Sequence, residues 1–168
     1  MDKLIINKNT LFKNSKHEEV SLDDVIERIK NFYSSSPHGE YKLSVGTDSM
    51  THEDTKFVMA IVLHNVGKGG IYFYKIFHHT RITNLHDKLY KETQLSLDAA
   101  EMLIEELLDI DENIFDKMKM SIHLDIGENG PTKSLIRELE GWVTAMGYDY
   151  AIKPDSYAAS TIADLYSK

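Results

Sequence analysis

The sequence predicts a mixed α/β fold. Its core is a five-stranded mixed sheet, three antiparallel strands followed by parallel ones, with helices on both faces and an extra N-terminal helix. Three observations carry this. Three strand-like segments follow one another between residues 41 and 78, after a single amphipathic helical stretch. Beyond residue 84, helical and strand segments alternate, as crossover connections between parallel strands require. Two of the strands also end alike: YKLSVGTD at 41–48 and MKMSIHLD at 118–125 each finish on an aspartate.

The elements follow in order. Residues 1–19 are polar and weakly patterned, and read as an extended arm or a short edge strand. A helix over 21–33 opens at Ser21, with Asp24 at the capping-box position and Val20 as the staple residue. The run Ser34–Gly39 with Pro37 ends it. Strands are expected at Tyr41–Asp48, Phe57–His64 and Ile71–His78; the second is continuously apolar, as for a strand buried on both faces. The glycine-rich turn 65–70 makes a hairpin of the last two. A long helix spans about 85–108 behind the N-cap Asn84. A fourth strand, Met118–Ile126, leads into the loop 127–130 and a helix entered through Pro131 and stopped at Gly147. Residues 148–153 form the fifth strand. Residues 156–168 are helical in their second half, with Ser160 as cap. The whole is expected to be one domain: arm 1–19, extra helix 21–33, core 41–168.

Side chains alternate along a strand, so Ser44, Gly46 and Asp48 share the polar face of the first, and Ser121, His123 and Asp125 that of the fourth. Neighbouring strands lie about 4.8 Å apart. Placing the fourth strand parallel to the first brings the two carboxylates together, which is unfavourable unless a cation lies between them; a divalent metal is the usual answer. On the long helix, most acids fall in one polar arc, but Glu92 sits amid Leu85, Leu89, Ser96, Ala99 and Leu103. A glutamate aimed into a core needs a partner; an arginine would serve, as would an escape to the surface.

Composition narrows the classes. The 168 residues are 42% hydrophobic and include no cysteine, which excludes disulfides, thiolate zinc sites and a cysteine nucleophile. No apolar run reaches membrane-spanning length, and MDKLIINKNT is not a secretory leader, so a soluble cytoplasmic protein with no membrane partner is expected. The formal charge of −8 argues against an undirected electrostatic grip on nucleic acid.

The element order with acids at these points resembles the ribonuclease H-like superfamily, and within it the YkuK-like bacterial family. The likeness rests on VGTDS at 45–49, YKETQLSLDAA at 90–100, IHLDIGENGPTKSLI at 122–136 and IKPDSYAASTIADLYSK at 152–168. It implies a nuclease hydrolysing phosphodiester bonds of RNA or DNA with two Mg2+ or Mn2+ ions. By resemblance Asp48, Glu92 and Asp125 are metal ligands, and the acid on the last helix is Asp164, with Asp155 as the alternative. Such a set suits the chemistry: hard cations prefer oxygen donors, and two ions about 3.5–4 Å apart activate water and stabilise the leaving oxygen.

Other residues are candidates for substrate contact. His123 lies two residues before Asp125 on the same face, and Lys133 and Lys153 flank the loops beyond. The remaining histidines fit no zinc spacing. Two rival readings stand beside the nuclease: a non-catalytic nucleic-acid or protein-binding module of the same fold, and a metal-dependent phosphohydrolase of small substrates, for which negative charge is no handicap.

Overall fold

The computed structural model describes residues 1–167, and of Tyr157 and Ala158 the backbone alone. The strands are β1 (Phe12–Asn14), β2 (Glu19–Val20), β3 (Tyr41–Thr51), β4 (Thr55–Asn65), β5 (Gly69–His79), β6 (Met118–His123) and β7 (Asp149–Ala151). The helices are α1 (Leu22–Ser34), α2 (Leu85–Ile110), α3 (Ile136–Ala145) and α4 (Tyr157–Ser167). One mixed sheet runs in the order β2-β1-β5-β4-β3-β6-β7. β3, β4 and β5 are antiparallel, and β6 and β7 add in parallel beside β3.

The mixed α/β class is as expected, but the sheet has seven strands rather than five. The extra pair is the arm, in which β1 and β2 form a small hairpin added to the edge of β5. Its turn is held locally: the Asn14 side chain accepts from the Lys16 and Glu18 amides. Phe12, fully buried, anchors it to the core. Such short pieces carry too few residues for a periodic signal, and the sheet edge decides their conformation.

α1 begins where its capping box requires: Ser21 Oγ accepts from the Asp24 amide, and the Asp24 carboxylate accepts from the Ser21 amide. β6 is shorter than the sequence suggests, ending at His123, so Asp125 lies past the last ladder pair. Pro131 does not start a helix directly. A 3-10 turn at Lys133–Leu135 comes first, and α3 starts at Ile136. The final helix starts at Tyr157, not at Ser160, whose hydroxyl instead donates to the Ser156 carbonyl inside the helix. Lys168 lies outside the described residues.

The sheet is covered on both faces. Tyr41, Leu43, Val45, Phe57, Met59, Ile61 and Ile122 point to the face packed by α1, α2 and α3. Val58 and Ala60 point to the other, where Ile162, Ala163 and Tyr166 of α4 cover them. β4 is therefore buried on both faces, as its unbroken apolar run implies. α4 can lie this low because β3 has glycine at 46. A Cβ there would stand 2.9 Å from Ala159 Cβ and 3.2 Å from the His123 carbonyl oxygen.

Gly46→Val should therefore lift α4 and cost about 1–3 kcal/mol. Gly141→Ala, on an open surface of α3 with nothing within 4 Å, should stabilise by about 0.5–1 kcal/mol. Urea denaturation of both variants checks the pair, and equal effects would contradict the packing described.

Candidate functional site

Three elements bring three acids to one point. Asp48 comes from β3, Glu92 from the second turn of α2, and Asp125 from the segment just past β6. One carboxylate oxygen from each lies within 4.8 Å of the others. The parallel pairing of β3 with β6 creates this juxtaposition, with Ser44 opposite Ser121 and Gly46 opposite His123. The ladder stops there, and Glu92 reaches the gap from the opposite layer.

Each acid is held differently. Asp48 Oδ1 accepts from the Ser49 amide at 2.9 Å, and Oδ2 from the Ser167 hydroxyl of α4 at 3.3 Å. Asp125 Oδ1 is paired with Lys153 Nζ at 2.9 Å. Gly127 makes that reach feasible: a Cβ there would stand 3.1 Å from Lys153 Cβ. Glu92 is 6% exposed, and its Oε1 is buried with no hydrogen-bond partner among the described residues. No arginine answers it. Lys88, one turn earlier on α2, offers its charge at longer range and donates to Thr51 Oγ1.

The electrostatics follow from burial and crowding. Burial, reinforced by Asp125, pushes the Asp48 carboxyl up to about 7. Burial, then the charges of Asp125 and Asp48, raises Glu92 well above the carboxylate range, with Lys88 opposing. Lys153 is driven upward by its hydrogen bond to Asp125. Without a further cation, the cluster thus holds protons at neutral pH that a free carboxylate would release.

This arrangement fits a divalent metal. Its donors are all hard oxygens, they converge, and one buried oxygen has no hydrogen-bond partner among the described residues. Asp48, Glu92 and Asp125 are the residues that could hold such an ion.

The remaining candidates are placed as follows. Asp164 lies on α4, three residues before Ser167, which donates to both the Asp164 carbonyl and Asp48; its carboxylate is not among the three that converge. Asp155 is exposed in the loop before α4 and lines a groove beside His123. His123 is buried, and its Nδ1 accepts from the Ala159 amide at 3.4 Å; burial pulls its pKa down. It tethers the start of α4 to the sheet. Lys133 is exposed in its 3-10 turn. Sequence reasoning did not single out Ser167 or Lys88, and set Ser49 aside only as a nucleophile lacking a base partner, not as a holder of Asp48. Lys88 was discoverable, being four residues before Glu92 on the same helix side; Ser167 reaches Asp48 only through tertiary packing.

A mixed sheet with three antiparallel strands, parallel additions and an acidic centre at their junction defines a ribonuclease H-like domain. The family model described as Ribonuclease H-like matches residues 24–168, and the chain belongs to that family. It is also 39% identical to the "Uncharacterized protein YkuK" of Bacillus subtilis (strain 168), over 94% of this chain and 97% of that one. No solved structure matches.

Asp48→Asn should stabilise the metal-free protein. A carboxyl whose pKa rises from 3.8 to about 7 on folding is destabilising once ionised. The cost is absent below the unfolded value and complete above the folded one, so metal-free stability should fall as pH rises from about 4 to 7. The variant should flatten this slope and raise Tm near pH 7.5, by about 2–4 °C per kcal/mol regained. Thermal melts in EDTA across this range measure it, and a variant that melts lower would make Asp48 a structural hydrogen-bonding residue.

Proposed function

We propose that the protein is a metal-dependent nuclease that hydrolyses phosphodiester bonds of RNA or DNA. One observation carries the reading: three carboxylates on three separate elements converge, with a buried Glu92 Oε1 that has no hydrogen-bond partner among the described residues. A structural role does not account for an arrangement that repels itself. The ribonuclease H-like family supports the same chemistry.

In this reading Asp48, Glu92 and Asp125 hold two magnesium or manganese ions, and Asp164 of α4 is the fourth ligand. Asp155 is disfavoured for that place, being exposed on the loop before α4. Bound divalent ions would lower the pKa of an attacking water and stabilise the leaving oxygen. The protein's own contribution is orientation. Ser49 and Ser167 fix the Asp48 carboxylate, and Glu92 is immobilised by burial. Lys153 balances charge on Asp125 and is half-exposed, so it can turn to a substrate phosphate. Lys133, on the loop side of the same strand end, is a second phosphate contact. His123 contributes by seating α4.

Incubation with labelled RNA, DNA and hybrid duplexes in Mg2+, Mn2+ or EDTA tests this. Cleavage should require the divalent ion. Asp48→Asn and Asp125→Asn should lower it beyond the about 10–100-fold that loss of an outer-shell partner costs, while remaining folded. Calorimetry should detect Mn2+ binding to the wild type and weaker binding to Glu92→Gln. Cleavage that persists in EDTA, or absence of Mn2+ binding at millimolar concentration, would overturn the proposal.

A further inference from the structure

The polar face of β3 and β6 continues away from the acids, and α4 does not cover its far end. There the ladder places three basic side chains side by side. His64 of β4 stands opposite Lys42 of β3, and Lys42 stands opposite Lys119 of β6. All three line one groove of about 310 Å³. The next rung along the same face carries hydroxyls: Ser44 pairs with Ser121, and Ser121 with Asp149 of β7. Asp149 and Asp155 form the acidic side of the groove.

Like charges directly opposite on neighbouring strands are destabilising. Lys42 and Lys119 are such a pair, and among the described residues neither is in an ion pair within 4 Å. Two lysines, a histidine and two serines on adjacent rungs are the donors that a phosphate takes. In a chain of net charge −8 the two lysines gathered at one end of the groove set a basic end against the acidic one of Asp149 and Asp155. The carboxylates of Asp149 and Asp155 accept hydrogen bonds and suit a ligand that carries donors beside its anionic end. The groove volume lies at the lower end of the range for small-molecule sites.

From this geometry we infer that the groove between β3, β6 and β7 is a second ligand site, which binds a nucleoside monophosphate. Its phosphate lies on the Lys42–Lys119–His64 rung, with Ser44 and Ser121 beside it, and the amino and hydroxyl donors of the nucleoside face Asp149 and Asp155. Lys42 is six residues before Asp48, about 20 Å along an extended strand, so the phosphate end of the site lies apart from the acidic cluster, while the groove's other end reaches His123 and Asp155. It does not depend on the nuclease reading.

Calorimetric titration in EDTA, which removes metal-mediated phosphate binding at the acids, tests this. The probes are purine and pyrimidine nucleoside monophosphates, the same nucleosides without phosphate, and inorganic phosphate. At least one monophosphate should bind the wild type at least tenfold more tightly than phosphate or its own nucleoside. Lys42→Ala combined with Lys119→Ala should weaken that binding at least tenfold with a melting temperature no lower than the wild type's, since both side chains are exposed and their mutual repulsion is removed. Asp48→Asn should bind as the wild type does, whether or not the protein cleaves nucleic acid. Three results would each overturn the inference: no monophosphate binding at millimolar concentration, phosphate alone binding as tightly as the nucleotide, or undiminished binding by the double lysine variant.

Discussion

Mutual repulsion of Asp48, Glu92 and Asp125 is the constraint around which the molecule is arranged. Their oxygens lie within 4.8 Å of one another, in a setting where burial already disfavours charge. Such a cluster persists only because the surrounding fold over-determines it. Asp48 is fixed by the backbone of a central strand, Glu92 by a helix of 26 residues packed on the core, and Asp125 by the chain leaving β6. Asp48 and Glu92 cannot withdraw without disturbing a central strand and a long core-packed helix.

The rest of the architecture serves that convergence from two sides. α2 must lie tightly on one face, and the buried Thr47–Ser96 hydrogen bond at 2.8 Å ties it to β3 one residue before Asp48. α4 must lie equally tightly on the other so that Ser167 can reach Asp48, and Gly46 together with Ala159 sets that distance. Lys153, whose aliphatic stem passes over Gly127, offsets part of the negative charge from the loop beyond β7. The lysine offered by sequence as a phosphate contact is therefore already engaged with an acid. The two roles are compatible, since one flexible cation can exchange carboxylate for phosphate.

The polar faces of β3 and β6 thus have two unlike ends. Toward their C-terminal ends the side chains are acidic and crowded, and toward their N-terminal ends they are basic and open. Both ends follow from one register, since Lys42 opposite Lys119 and the approach of Asp48 to Asp125 belong to the same parallel pairing. A slip of one residue would turn each side chain to the other face and destroy both.

Much of this was legible in the chain. Period-two alternation assigned Asp48 and His123 to polar faces, the unbroken run at Phe57–Leu63 marked the doubly buried strand, and helical spacing set Glu92 among apolar neighbours. These signals are local, because side-chain direction in a regular element depends on backbone geometry alone. The edge hairpin of β1 and β2, the late start of α3, the early start of α4 and the grip of Ser167 on Asp48 were not legible. Each depends on what lies across the sheet or at its edge, and packing between elements distant in sequence overrides local preference. The sequence by itself determined which residues carry charge and which face each presents. Only the tertiary structure decided which of them meet, because a distance of a few ångströms between β3, α2 and the end of β6 is a property of how three elements pack and not of any one of them.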